Sequence, residues 1–273
     1  MKKSGFMTVN KVLLFKSPKG NVPEADILKI EAKLDELNIL HEHYSEGIDF
    51  DFDAVIALGG DGTMLNASSV AFRANKPVMC INFGTLGYMS GLENSEIDML
   101  SALKDGFNTE KRMLLDIKVE RNGSIIANAT ALNEAVVTRR SDGDIASIEL
   151  KCDGATVCAY RADGIIIATP TGSSAYAMSA GGPIIDTKLD AFEVCPICPH
   201  SLGARTMIFS PNSVLEAVNL NDSRSENLLL CDGKTVCSLL NGDSVKVERS
   251  SRSLELIKLK KDAFYETLYN KMS

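Results

Sequence analysis

The chain has 273 residues, 45% of them apolar and 24% charged, enough to bury one large core or two medium ones. A formal charge of −7 argues against a nucleic-acid or anionic-membrane surface, which needs clustered Lys and Arg, and no stretch approaches the roughly 18 apolar residues of a spanning helix. The basic start Met1-Lys2-Lys3 precedes an apolar run, residues 12–15, too short and too late for a signal-peptide core, and seven scattered cysteines make no disulfide framework, so a reducing, cytoplasmic setting is expected.

The first hundred residues alternate between strand-like and helix-like patterns, as in an α/β layer with a mostly parallel sheet. Lys11–Lys16 reads as a strand. Residues 23–38 carry Ile27, Ile30, Leu34 and Leu37 at helical spacing, with Asn21 and Pro23 as cap and first-turn residues. His41 and His43 fall in a polar connection and read as solvated. Residues 53–58 form a short apolar strand that runs into Gly59-Gly60-Asp61-Gly62, after which residues 63–73 resume a helical pattern. Residues 76–83 make another strand. Ser95-Glu96-Ile97-Asp98 resembles a capping box opening a helix with Ile97, Leu100, Leu103 and Phe107 inward.

From about Arg112 the period changes to two, broken by Asn122-Gly123, Asp153-Gly154, Asp163-Gly164, Asp232-Gly233 and Asn241-Gly242. Such pairs between alternating apolar runs signal hairpins, because a type I′ turn needs positive φ at both central residues. The second half is therefore read as largely β, with strand-rich stretches at 115–120, 124–138, 146–152 and 155–168. A last strand at 254–259 precedes a closing helix, residues 262–272, in which Phe264, Leu268 and Met272 recur every four residues.

Two stretches have the composition of a nucleotide site. The Gly59-Gly60-Asp61-Gly62-Thr63 turn lies at the carboxyl end of a strand and the amino end of a helix, where open sheets bind ligands and free N–H groups meet phosphate. Asp61 would be repelled there unless it faced a metal or a substrate hydroxyl, which points to catalysis, although a plain tight turn explains the glycines equally well. The run is neither a Walker A loop nor a complete dinucleotide fingerprint. Further on, Thr169-Pro170-Thr171-Gly172-Ser173-Ser174-Ala175-Tyr176 follows an apolar strand and leads to Ser179, Gly181, Gly182 and Pro183. Its hydroxyls can bond ribose, phosphate or base edges, or only cap their own turn. Asn133-Glu134 interrupts an apolar strand, and two adjacent polar residues must point to opposite faces, so this is either a ribose-binding pair or an edge strand. Arg161 and Asp163 alternate on one face, as a surface ion pair would. Cys195-Pro196-Ile197-Cys198 has no second CxxC and reads as buried structure.

In this order the motifs resemble the NAD kinase family along nearly the whole chain: Gly59 to Thr63, Ile81-Asn82, Leu86-Gly87-Tyr88-Met89, Leu132-Asn133-Glu134, Tyr160-Arg161-Ala162-Asp163-Gly164, the run from Thr169 to Pro183, Cys198-Pro199-His200-Ser201-Leu202, and Asp232-Gly233. The resemblance implies a Rossmann-like N-terminal α/β domain followed by a β-rich, β-sandwich-like C-terminal domain that binds NAD, with the substrate between them and a C-terminal helix returning to the first domain. The boundaries expected are 1–108 with 258–273, and 109–257. It implies phosphoryl transfer from ATP or another donor to the 2′-hydroxyl of the adenosine ribose of NAD, with Mg²⁺ or another divalent cation as cofactor and no assigned metal ligands. Asp61 then resembles the catalytic carboxylate. The nucleotide-binding set becomes Gly59, Gly60, Gly62, Thr63, Tyr88 on the adenine side, Asn133, Glu134, Asp144, Arg161, Asp163, Thr171, Ser174, Ala175, Tyr176, Ala177, Met178 and Ser179. The family also implies a homo-oligomer, a dimer or tetramer. Three positions depart from its usual pattern: Ser174 where Thr is usual, Cys80 where Gly is frequent, and Lys234 where Gln is frequent. A lipid or sugar kinase sharing the GGDG turn, or an NAD(P)-binding regulator without turnover, are the competing readings.

Overall fold

The structure is a computed structural model that describes residues 8–17, 22–84, 87–89, 91–140, 145–221, 226–260 and 263–272. In chain order the elements are β1 (Lys11–Lys16), α1 (Glu24–Glu36), β2 (Leu40–His43), β3 (Ala54–Leu58), α2 (Asp61–Ala74), β4 (Val78–Asn82), β5 (Leu92–Glu93), a 3₁₀ helix (Asn94–Ser101) and α3 (Ala102–Asp105). Then follow β6 (Asn108–Arg121), β7 (Ser124–Ala131), β8 (Glu134–Arg139), β9 (Ala146–Cys152), β10 (Ala155–Ala162) and β11 (Gly164–Ala168). A 3₁₀ turn (Gly172–Ser174) and α4 (Tyr176–Ser179) lead to β12 (Phe192–Ile197), β13 (Met207–Phe209), β14 (Leu215–Asn219), β15 (Asn227–Cys231), β16 (Lys234–Leu239), β17 (Ser244–Lys258) and α5 (Ala263–Met272). The chain divides into two compact units, residues 1–111 with 254–273, and residues 112–253.

The first unit is built on parallel pairings. β2 pairs β1, β1 pairs β3, β3 pairs β4, and Leu256 near the end of β17 pairs Val78 of β4. β3 and β4 are buried at every position, as strands covered on both faces must be, which is why they read as unbroken apolar runs. Ile27, Ile30 and Leu34 of α1 pack with Val12, Leu14, Ile56 and Ile81 in one core. α5 belongs to this unit and buries Phe264 and Thr267. His41 and His43 lie in the strand β2, not in a loop: His43 Nε2 is 2.6 Å from Glu31 of α1, so carboxylates on the helix accompany the two imidazoles. The segment after β5 also differs from expectation. It opens with the Glu93 N–H donating to Glu96 Oε2 at 2.8 Å, two residues before Ser95, and it winds as a 3₁₀ helix before the short α3, leaving Phe107 buried beyond the helix end.

The second unit is a β-sandwich. One layer contains β10, β9, β14 and β17 in that order, with β6 pairing β17 and β7 pairing β6. The other runs β13-β12-β11-β8-β15-β16. Period-two alternation sends Ile148, Leu150, Leu215 and Ala217 from the first layer, and Ala135, Val137, Ile165, Ile167, Phe192 and Val194 from the second, into one core. Three of the five expected hairpins form. Asn122-Gly123, Asp153-Gly154 and Asp232-Gly233 all take positive φ at both residues and join β6 to β7, β9 to β10 and β15 to β16. The other two pairs are corners. Asp163-Gly164 carries the chain from β10 in one layer to β11 in the other, and glycine is required because a Cβ there would lie 2.4 Å from the Val137 carbonyl. Asn241-Gly242 likewise links β16 to β17 across layers, with positive φ at Gly242 alone.

Candidate active site

In the first unit the chain leaves β3 at Gly59 and enters α2 at Asp61, with Gly60 as the N-cap residue. Thr63 and Met64 N–H groups are taken by the Gly60 carbonyl at 2.9 and 3.0 Å, whereas Gly62 is exposed at the helix mouth. Asp61 is half-buried and its two oxygens are oriented separately: Oδ2 accepts from the Tyr88 N–H at 2.9 Å and Oδ1 from the Met89 N–H at 3.0 Å. Each oxygen keeps a lone pair for another donor. The Tyr88 ring in turn meets Phe264 of α5 at 6.4 Å between centroids and carries Lys271 Nζ 4.3 Å from its centroid. Cys80, one of the departures, is buried in β4, and its thiol donates to the Gly59 carbonyl at 3.2 Å, so it braces the turn from below. Burial pushes that thiol well above its ordinary range, and the charges of Asp61 and Glu93 add to the effect.

In the second unit Asn133 and Glu134 are both buried at the start of β8, a central strand that pairs β11 on one side and β15 on the other. The edge-strand reading of this pair is therefore overturned. Asn133 Oδ1 and Glu134 Oε2 are buried without a hydrogen-bond partner. A buried acceptor left empty costs about 1–3 kcal/mol, a deficit that a donor or, at Glu134, a proton would offset. Burial pushes the Glu134 carboxyl up to about 8, with the neighbouring Asp232 charge adding to the shift. Asp232 supports the pair from the β15–β16 turn: its carboxylate accepts from the N–H groups of Leu132, Asn133 and Glu134 at 2.8, 2.8 and 3.3 Å. Burial still leaves Asp232 above its ordinary value despite those three bonds.

The hydroxyl-rich run packs against the same pair. Thr169 Oγ1 donates to the Leu132 carbonyl at 2.6 Å, and its N–H donates to the Asn133 carbonyl at 2.8 Å. Gly172 is needed for this approach, since a Cβ there would sit 2.1 Å from the Asn133 carbonyl oxygen. Thr171 is buried. Ser173 and Ser174 spend their hydroxyls locally, on the carbonyls of Pro170 and Thr171 at 2.7 and 3.2 Å. Ala175 turns the chain into α4, where Tyr176, Met178 and Ser179 are exposed and Ala177 is buried. Arg161 is exposed on β10, and Asp163 pairs instead with Arg139, Nε to Oδ1 at 2.9 Å, so the expected Arg161–Asp163 partnership does not form. Beside Arg161 lies a pocket of about 330 Å³ lined by Cys158, Tyr160, Ser201, Arg205 and Met207 among others. Asp144 lies outside the described residues.

Three residues absent from the sequence-based set belong to these clusters. Asn82 is buried at the end of β4, and its Nδ2 donates to Glu93 Oε2 at 3.0 Å. Asp232 is legible as a turn residue and as part of a family motif, but not as a partner of the Asn133–Glu134 pair. Glu193 drew no notice at all, although a lone acid in the apolar stretch of β12 is a visible signal. The Cys195–Cys198 stretch is buried as expected through Ile197, and Cys198 alone is exposed.

A carboxylate held by backbone amides at a strand-to-helix turn, in a chain that continues into a β-sandwich with buried unpartnered acceptors, is an arrangement compatible with a nucleotide-handling phosphotransferase. The ATP-NAD kinase N-terminal domain matches residues 16–106 and the ATP-NAD kinase C-terminal domain matches residues 132–259. Over 222 residues the chain is 39% identical to an NAD kinase of Ectopseudomonas mendocina (strain ymp), spanning 81% of this chain and 75% of that one. An NAD kinase of Symbiobacterium thermophilum is 37% identical over 223 residues, 81% of this chain and 78% of the relative. In fold, the yeast NADH kinase complexed with NADH superposes with a TM-score of 0.85 at 22% identity, covering 98% of this chain and 88% of that one. The NAD kinase from Archaeoglobus fulgidus in complex with ATP gives 0.75 at 24% identity, covering 96% and 98%. The chain belongs to the NAD kinase family.

Proposed function

We propose that this protein transfers the terminal phosphoryl group of ATP to the 2′-hydroxyl of the adenosine ribose of NAD. Family membership supports the reaction, and the two-point fixation of Asp61 by the Tyr88 and Met89 amides is the observation that supports its chemistry. The 2′-oxygen bonds to the terminal phosphorus as the bond to the bridging oxygen breaks and the nucleoside diphosphate leaves. Asp61 orients the hydroxyl and accepts its proton, while Gly59, Gly60, Gly62 and Thr63 hold the phosphates at the α2 mouth and Tyr88 takes the adenine side. Asn133, Glu134, Arg161, Asp163, Thr171 and residues 174–179 hold the dinucleotide, and the unpaired Asn133 and Glu134 oxygens favour donors from ribose or base. We assign residues 1–108 with 258–273 to the Rossmann-like domain and 109–257 to the NAD-binding domain.

Among the described residues no group of three or more His, Cys, Asp or Glu side chains is placed to hold a metal ion. We assign no metal ligands, and Mg²⁺ or another divalent cation is taken to enter with the donor's phosphates. All seven cysteines are unpaired and no described helix is long and apolar enough to cross a membrane, which supports a cytoplasmic enzyme; the homo-oligomer is carried over from the family.

The purified protein with NAD, ATP and Mg²⁺ is expected to form NADP, and Asp61→Asn to lower turnover by roughly 10² to 10⁴ while NAD still binds. Wild-type rates in that variant would remove Asp61 from the role. NAD binding without turnover by the wild type, across several donors, would identify a regulator, and phosphorylation of a lipid or sugar in preference to NAD would replace the acceptor.

A further inference from the structure

Behind α4 lies a buried acid that nothing in the proposed reaction uses. Glu193 is fully buried in β12, and both of its carboxyl oxygens lack a partner. Strand alternation puts it on the face opposite Phe192 and Val194, the same face that sends Val136, Ile166, Ala168 and Cys195 to pack with Ala177. Its carboxyl fills the space that Gly182 leaves open: a Cβ on Gly182 would lie 2.1 Å from Glu193 Oε1 and 3.0 Å from the Ala177 carbonyl. That carbonyl closes the segment, accepting from the Gly182 N–H at 2.9 Å. The acid therefore sits directly beneath the hydrogen bond that folds residues 177–182 back on themselves.

We propose that Glu193 is a positioning residue for NAD, which in its protonated form fills the space behind residues 176–182 and holds Tyr176 to Ser179 in the shape that takes the dinucleotide. The inference rests on the reading that this segment contacts NAD. Among the described residues no charge compensates an ionised Glu193, whose pKa is raised by burial alone. β11 sets Ala168 opposite it, β13 sets Ile208, and α4 brings no titratable side chain to its buried face. The titratable neighbours are the Cys195 thiol, two residues along the same strand, and Glu134, which shares the row across Ala168 at about two strand spacings, roughly 10 Å. Both are acids, and neither attracts a negative charge. Burial pushes Glu193 up to about 7, so the proton is lost near neutrality. Ionisation then drives an uncompensated carboxylate against the Gly182 backbone and the Ala177 carbonyl, and the segment must open to admit water.

NAD binding is accordingly linked to proton retention. The dissociation constant for NAD, measured by calorimetry, is expected to be flat from pH 5.5 to 6.5 and to rise above pH 7, approaching about tenfold per pH unit in the limit of one linked proton. Glu193→Gln, a neutral isostere, is expected to keep the acid-form affinity and abolish the rise between pH 6 and 8, whereas Glu134→Gln leaves that part of the rise in place. An unchanged slope in Glu193→Gln overturns the proposal. Should that variant fail to fold, hydrogen exchange of the wild type decides: the amides of residues 180–182 are expected to lose protection relative to β12 between pH 6 and 8.5, after correction for intrinsic exchange, and constant relative protection overturns the proposal. Tyr176→Ala with unaltered NAD affinity would instead remove the segment from the NAD contacts, which the exchange experiment does not test.

Discussion

The mouth of α2 and the β8–β11–β12 row treat their carboxylates in opposite ways. In the first, Asp61 has both oxygens occupied by backbone amides before any ligand arrives, and it keeps partial contact with solvent. In the second, Asn133, Glu134 and Glu193 place acceptor atoms out of reach of water with no donor supplied. The first arrangement is preorganised for proton transfer, because a carboxylate held at two points does not reorient during reaction. The second stores an energetic deficit that a ligand or a proton must make good. The apo protein is therefore expected to be marginal around the β8–β11–β12 row.

The largest blow to the second region is Gly172→Ala. Its new Cβ meets the Asn133 backbone carbonyl at 2.1 Å, an overlap that backbone cannot relieve by changing rotamer. A loss of about 1–3 kcal/mol or more in urea unfolding and a large loss of NAD affinity are expected, and an unperturbed NAD affinity would separate Asn133 from the ligand site.

Glu134→Gln sharpens the contrast through pH. The folded carboxyl titrates at about 8 and the unfolded one near the ordinary 4.5, so the folded state binds the extra proton between those values. Stability is then complete below about pH 4.5 and falls as pH rises towards 8, by at most about 1.4 kcal/mol per pH unit. The neutral variant is expected to melt higher than wild type at pH 8.5 and equally at pH 4.5, with weaker NAD binding at both. A melting temperature that tracks wild type across this range would show that Glu134 is compensated.

The smallest effect belongs far from either cluster. Asn122 has a φ of 50° in the β6–β7 hairpin, and Asn122→Ala is expected to cost about 1 kcal/mol with kcat and KM unchanged. A change in KM there would extend the sensitive region well beyond the β8–β11–β12 row.

Legibility followed locality. The parallel layer is readable because β3 and β4 are covered on both faces and carry apolar residues at every position before Asn82, the last of β4. Asp61 stood out because a carboxylate among glycines at a strand-to-helix turn is chemically incongruous. By contrast, Asp232 reaches its three amides across about a hundred positions of sequence, and no local pattern announces such a contact. The same holds for Asp163, whose partner Arg139 comes from a neighbouring strand instead of from Arg161 two residues away.

What the sequence by itself determined was therefore most of the α/β elements, the β character of the second half, the tendency of five Asn-Gly and Asp-Gly pairs to turn, and the ordered motifs that mark the family, because φ preferences and hydrophobic period act over a few residues. Only the tertiary structure decided which Asp-Gly and Asn-Gly pairs are hairpins and which are corners between layers, since that depends on where the next strand finds its partner. It also decided that Glu134 and Glu193 share one row across Ala168, where packing removes the water that would otherwise have kept both of them charged.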